Sequence, residues 1–366
     1  MTILTFLMLG AGLILLVFGA DYLVKGASNL ALSLGVSPIV IGLTIVAYGT
    51  SMPEFTVSTM AAYAGSVDIS IGNVVGSNIF NVLFILGVSA LISPLIVHTQ
   101  LIRIDVPVMI GASLLLFALG VDGLLGKIDA LVLTAGAIGY TWFQIYQSRK
   151  EKNSTLGSEI EAEFPKAQQG SLWVNIGWII AGLVLLIIGS NWLVSSATDI
   201  ARFLGASELV IGLTIVAIGT SLPEVATSVA ATLKGERDIA VGNVIGSNIF
   251  NILSVLGLSG LVSPHGIRIS DAALAFDIPV MVAVAIACFP IFFAGKTITR
   301  VRGALFLLYY VAYTLYLILA TGPENDMLGS FQAAMWYFAL PLTGLMLIWL
   351  MIGGVRQQNK QQADNG

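Results

Sequence analysis

Residues 42–87 read GLTIVAYGTSMPEFTVSTMAAYAGSVDISIGNVVGSNIFNVLFILG. Most of this stretch is apolar enough to lie in a membrane, yet it carries a glutamate, a proline and several hydroxyls and amides. Residues 212–257 repeat it as GLTIVAIGTSLPEVATSVAATLKGERDIAVGNVIGSNIFNILSVLG. The copies align without a gap at a constant offset of 170, with 28 of 46 positions identical. A chain that duplicates its most polar membrane segment is expected to build one site from two halves.

Composition bounds the rest. The 366 residues are 57% hydrophobic and 10% charged, against about 25% charged in soluble proteins. So little charge cannot cover a water-facing surface, and the chain is expected to be an all-α polytopic membrane protein. Its single cysteine, Cys288, excludes an internal disulfide and a cysteine-cluster metal site. The apolar N-terminal run lacks a basic leader and a small-residue cleavage motif, and residues 12–42 match 182–212 at the same offset. It is therefore expected to be the first transmembrane helix.

Apolar runs of spanning length fall at residues 3–23, 38–63, 69–92, 106–119 and 128–145. The only long polar stretch, residues 147–171, reads as a solvated loop, too short to hold a folded domain. Five more runs follow at 173–194, 209–233, 239–262, 272–293 and 301–320. An eleventh, 331–352, has no counterpart in the first half. The duplication extends to Asp105-Val-Pro-Val-Met and Asp277-Ile-Pro-Val-Met. The expected organisation is a first repeat over 1–146, a loop over 147–171, a second repeat over 172–320, and an extra transmembrane helix with a tail over 321–366. Five helices is an odd number, so the second half enters the membrane from the opposite side. That makes two inverted five-helix repeats, a ten-helix core plus an extra C-terminal helix. Alternate loops place thirteen of the sixteen lysines and arginines on one side. The positive-inside rule then puts the central loop and the C-terminus in the cytoplasm and the N-terminus outside, in a plasma or inner membrane.

The polar residues cluster. Ala47, Thr50, Ser51 and Glu54 lie three or four residues apart and share one face of the second span. Pro53 removes a helical N–H and Gly49 weakens the same turn, which predicts a kinked or broken helix whose freed carbonyls meet a cation. Ala217, Gly219, Thr220, Ser221, Pro223 and Glu224 repeat the arrangement. Asn73, Ser77 and Asn81 form one stripe on the third span, and Asn243, Ser247 and Asn251 its copy. Gly72, Gly76, Gly87, Gly242, Gly246 and Gly257 are expected to let helices approach closely. Proline, glycine, serine and asparagine can serve packing alone, but a mid-span glutamate is costly and usually functional. Asp105 and Asp277, near span ends, read as capping or interfacial groups. Asp68 and Asp238 read as helix N-terminal stabilisers.

Two carboxylates with hydroxyls, amides and carbonyls make an all-oxygen set. Both histidines, His98 and His265, fall in loops. Oxygen donors suit hard cations such as Ca²⁺, and Na⁺ can share them.

At GTSMPE with GNVVGSNIFN, and again at GTSLPE with GNVIGSNIFN, the chain resembles the calcium/cation antiporters, and within them the sodium/calcium exchangers. The resemblance covers roughly residues 1–320. It implies Glu54 and Glu224 as the carboxylates that bind Ca²⁺. It also implies Thr50, Ser51, Ser77 and Asn81 as ligands from one repeat, with Thr220, Ser221, Ser247 and Asn251 from the other. Ala47 and Ala217 would offer backbone carbonyls. Some members, including potassium-dependent ones, carry aspartate where this chain has Asn251, so K⁺ co-transport is not expected. The expected activity is secondary antiport of Na⁺ against Ca²⁺ by alternating access, with an H⁺/Ca²⁺ exchanger as the alternative and a passive cation channel as a rival from another class. The partners are Ca²⁺, Na⁺ and the lipid bilayer, without nucleic acid and without a resident cofactor. No membrane-core histidine or HExxH-type motif supports a hydrolase, so an enzyme is not expected. Because one carboxylate pair serves both cargos, flux is expected to fall at acidic pH.

Overall fold

The computed structural model describes residues 3–152, 171–204, 217–321 and 326–364. Each predicted span has a helical counterpart there, although part of the seventh, residues 209–216, and most of the central loop lie outside the described residues. The helices are α1 (Ile3–Leu34), α2 (Pro38–Thr50), α3 (Met52–Tyr63), α4 (Val67–Ile92), α5 (Leu101–Leu119) and α6 (Lys127–Lys152). The second half supplies α7 (Leu172–Phe203), α8 (Ala217–Gly219), α9 (Leu222–Leu233), α10 (Arg237–Val262), α11 (Ala273–Lys296) and α12 (Arg300–Thr321). The appended span is α13 (Met327–Val355).

Three boundaries differ from the hydropathy reading for a physical reason. Helices α1 and α7 each run 32 residues, or about 48 Å at the usual helical rise, against a hydrocarbon core of about 30 Å. Hydropathy marks where the membrane ends, and nothing breaks the helix there. α1 stops only at Gly35, whose φ of 66° is the left-handed conformation that closes a helix, followed by Pro38. α5 likewise begins before Pro107. A wide turn over Leu101–Asp105 carries the helix into the proline, so no tight-turn hydrogen bond from its missing N–H is required.

That earlier start corrects the reading of Asp105. It is fully buried inside the helix, not capping a membrane edge. Tyr140 Oη donates to its Oδ1 at 3.0 Å and Gln144 Nε2 at 2.7 Å. Among the described residues Asp277 keeps only the corresponding tyrosine bond, from Tyr313 at 2.9 Å; Leu317 stands where the first half has Gln144. Asp68 and Asp238 do sit in the first turns of α4 and α10.

The halves interlock. α1 packs along α7 through glycines: a Cβ on Gly12 would lie 2.8 Å from the Gly189 carbonyl oxygen, and one on Gly19 2.9 Å from that of Gly182. Small residues in such places let two backbones touch where side chains cannot. Two short antiparallel ribbons, which the sequence did not signal, also join the halves. β1 (Leu95–Ile96) pairs with β4 (Thr297–Ile298), and β2 (Leu124–Leu125) with β3 (Ile267–Arg268). Beside each ribbon a cation closes the other half's helix. Lys127 Nζ donates to the carbonyls of Gly260, Leu261 and Ser263 at 3.3, 2.6 and 2.5 Å. Arg300 donates to those of Leu91 and Ile92 at 3.1 and 3.4 Å. These are the orphan carbonyls of two helix C-termini, where positive charge is favourable. Lys127→Ala is expected to destabilise the protein by about 1–2 kcal/mol, read as a lowered thermal midpoint in detergent, with Lys127→Arg close to wild type.

Candidate cation site

The site forms where the broken second span meets α4, α9 and α10. Between α2 and α3 the chain bends by 46°, at the Gly49–Pro53 segment that favours a break. α9 likewise starts after a break, with Pro223 in its first turn and Glu224 beside it. The breaks leave Ser51 and Ser221 outside regular helix. Glu54 and Glu224 each fall in the first turn of the helix that follows, where backbone N–H groups and the helix dipole favour negative charge.

The side chains then cross between the halves. Ser51 Oγ donates to Glu224 Oε1 at 2.8 Å, and Ser221 Oγ to Glu54 Oε1 at 2.8 Å. Thr50 Oγ1 donates to Asn243 Oδ1 at 3.0 Å, and Thr220 Oγ1 to Asn73 Oδ1 at 3.2 Å. Asn73 and Asn243 are fixed in turn by donating to Ser58 and Ser228 at 2.9 and 3.0 Å. Each of these six contacts has its mirror at the repeat offset, so the duplication seen in sequence reappears as a local two-fold arrangement.

Among the residues expected at the site, Ala47, Thr50, Ser51, Glu54, Ser77, Asn81, Ser221, Glu224, Ser247 and Asn251 are all buried, and Thr220 is half-buried. Ser77 Oγ accepts from Ser221 at 3.1 Å. The Ala47 carbonyl is not left bare by the kink: it accepts from the Ser51 N–H at 3.1 Å, from Thr50 Oγ1 at 3.3 Å and from Ser247 Oγ at 3.4 Å. Ala217 opens the short turn Ala217–Gly219, and the carbonyl freed nearest the second proline, Gly219, accepts from Ser190 Oγ at 2.7 Å.

Among the buried oxygens that find no hydrogen-bond donor in the described residues, four belong to the expected site: Glu54 Oε2, Glu224 Oε2, Asn81 Oδ1 and Asn251 Oδ1. They are two symmetry-related pairs, each atom an acceptor only. A buried acceptor without a partner costs about 1–3 kcal/mol, and more when charged. Acceptor-only oxygens of this kind suit a hard cation, and Ca²⁺ takes six to eight of them. Among the described residues no three His, Cys, Asp or Glu side chains come together, so the site's formal charge rests on its two glutamates.

Sequence reasoning passed over Asn78 and Asn248. Both are buried between α4 and α10 and tie the halves together. The duplicated motif GSNIFN contained the signal, since it repeats both asparagines of each copy.

A helical membrane protein with a two-fold, all-oxygen, doubly acidic site at its centre is a cation carrier by class. Comparison with known proteins gives the family. The model of the sodium/calcium exchanger protein family matches residues 4–146 and 174–319, and the chain belongs to that family. It is 41% identical over 306 residues to the putative antiporter CaxA of Alkalimonas amylolytica, covering 82% of this chain and 95% of that one. It is 35% identical over 344 residues to the sodium/calcium exchanger MaX1 of Methanosarcina acetivorans, covering 85% and 98%. The structure of the sodium–calcium exchanger NCX_Mj soaked with Na⁺ and Ca²⁺ superposes with a TM-score of 0.74 at 33% identity, covering 88% of this chain and all of that one.

Proposed function

We propose that this protein exchanges Na⁺ for Ca²⁺ across the membrane as a secondary antiporter, with one site that holds either cargo and is exposed to each side in turn. The observation that carries this reading is the pair of buried carboxylates, each hydrogen-bonded by a serine of the opposite repeat, whose second oxygens lack donors. Both cargos need those oxygens, so their occupancies exclude one another. Mutually exclusive occupancy of a site exposed to one side at a time is what obliges exchange, whereas a channel's sites are open to both sides at once.

Glu54 and Glu224 are assigned the charge of the site. Thr50, Ser51, Ser77 and Asn81, and Thr220, Ser221, Ser247 and Asn251, supply neutral oxygens, with the Ala47 and Ala217 carbonyls beside them. The chain is read as repeats over 1–146 and 172–320, with its basic loops and C-terminus in the cytoplasm. The family and the relatives named for sodium/calcium exchange favour Na⁺ over H⁺ as the driving ion.

Reconstituted vesicles test this directly. Vesicles loaded with Na⁺ and diluted into Na⁺-free medium are expected to take up ⁴⁵Ca²⁺. A K⁺ gradient adds nothing, because Asn251 gives the site no third carboxylate. Uptake driven equally well by a proton gradient alone overturns the choice of Na⁺, and Ca²⁺ flux that needs no counter-ion overturns antiport. Acidification is expected to slow uptake, since protonating either glutamate removes charge that the cation needs.

A further inference from the structure

We infer that Asn78 and Asn248, to which no role has so far been assigned, are positioning residues: each holds the cation-facing amide of the opposite repeat's asparagine. The inference rests on the sodium/calcium site described above and adds to it a means of aiming two of its ligands.

The two asparagines meet between α4 and α10. Asn78 Nδ2 donates to the backbone carbonyl of Asn248 at 3.2 Å, and Asn248 Nδ2 to that of Asn78 at 3.1 Å. A backbone carbonyl can only accept, so neither amide can turn over without setting oxygen against oxygen. The orientation of both side chains is thereby fixed by the main chain. Each then presents one remaining group, its Oδ1. Asn248 Oδ1 accepts from Asn81 Nδ2 at 3.0 Å, and Asn78 Oδ1 accepts from Asn251 Nδ2 at 3.1 Å.

The consequence falls on the next amide. With the NH₂ of Asn81 and Asn251 held by the lock, the planar geometry of an amide sends Oδ1 the other way. Neither of those two amide oxygens has a donor among the described residues. All four asparagines are at most 3% exposed, so water does not take over the holding role. Asn78 lies on the same helix as Asn81 but holds Asn251, and Asn248 holds Asn81. A cation bound by both amides is thus held through both repeats at once.

Outer residues that orient metal ligands typically change affinity about 10- to 100-fold when removed. Asn248→Ala is therefore expected to weaken Ca²⁺ binding and raise its KM by about 10- to 100-fold. Maximal flux at saturating Ca²⁺ should change much less, and Asn78→Ala should match it. The pairing makes a sharper test. In an Asn81→Ala background, Asn248→Ala is expected to weaken binding no further, because the oxygen it aims is gone. Combined with Asn251→Ala, the same change multiplies the loss. Equilibrium titration of purified protein with Ca²⁺ and with Na⁺ reads these effects whether or not the protein exchanges them. A wild type that binds Ca²⁺ but shows no Na⁺-driven uptake would sink the antiport reading and leave the lock standing. Unchanged affinity in Asn248→Ala and Asn78→Ala overturns the lock, as do losses that multiply for Asn248 with Asn81. If neither alanine variant folds, Asn248→Ser and Asn78→Ser, too short to reach the opposite amide, replace them. Failure of all four to fold assigns the pair to architecture and likewise overturns the proposal.

Discussion

Glu54→Gln and Glu224→Gln are each expected to abolish Na⁺-driven ⁴⁵Ca²⁺ uptake while the protein still folds. Glutamine has the shape of glutamate and keeps an oxygen to accept from the facing serine, so the Ser221–Glu54 and Ser51–Glu224 bonds survive. What is lost is charge. Both glutamates are fully buried, and a divalent ion beside a single carboxylate there leaves an uncompensated positive charge. Removing one partner of a buried charge pair costs about 3–5 kcal/mol, a fall in Ca²⁺ affinity of roughly 10²- to 10⁴-fold. The apo protein gains by the same change, because two like charges no longer share one low-dielectric site. The thermal midpoint without cation is therefore expected to stay level or rise, and the stabilisation that Ca²⁺ gives the wild type to vanish. Flux near wild type in either variant would remove the glutamates from the site. The local two-fold arrangement adds a constraint: the two substitutions should cost nearly the same.

Much of this arrangement was legible in the sequence, for reasons that differ by level. The spans could be read because lipid demands long apolar helices, and the duplication could be read because both copies kept the residues that cross between halves. Glu54 and Glu224 were legible because nothing about packing explains a mid-span carboxylate. The break between α2 and α3 followed from Gly49 and Pro53. The ends of α1 and α7 were not legible, since a helix continues past the membrane edge unless something stops it, and Gly35 stands twelve residues beyond the expected end. Asp105 was misread because a proline ordinarily opens a helix, whereas here a wide turn precedes it. The roles of Asn78 and Asn248 depend on which helix of the other half lies opposite, and no pattern along one chain records that. The two ribbons are only two residues long in each strand, too short for any alternation to announce them.

Gly246→Ala, the addition of one methyl group, is expected to lower Na⁺-driven Ca²⁺ uptake by about 100-fold or more, an effect on the scale of a ligand misplaced by an ångström. At Gly246, α10 lies directly on α2: a Cβ there would stand 2.6 Å from the Leu43 carbonyl oxygen, and 2.8 Å from both Leu43 Cα and Ala47 Cβ. Two of those three atoms are backbone, so no rotamer change relieves the contact and the helices must part. The contact adjoins the site on both sides. Ser247 follows Gly246 and donates to the Ala47 carbonyl, and Thr50 ends α2 one turn later with Ser51 directly after it. Separation by even part of an ångström therefore moves Ser247 away from Ala47 and shifts Ser51 relative to Glu224. Not every glycine behaves this way. Gly111 on α5 is exposed, and a Cβ there meets nothing within 4 Å. Gly111→Ala should leave flux unchanged and, through better helix propensity, stabilise by up to about 1 kcal/mol. Flux and thermal midpoint measured together on both variants separate the outcomes. Lost transport in folded Gly246→Ala shows that the distance between α2 and α10 sets the geometry of the site. Wild-type transport in that variant would mean that the contact at Leu43 and Ala47 yields without moving any ligand.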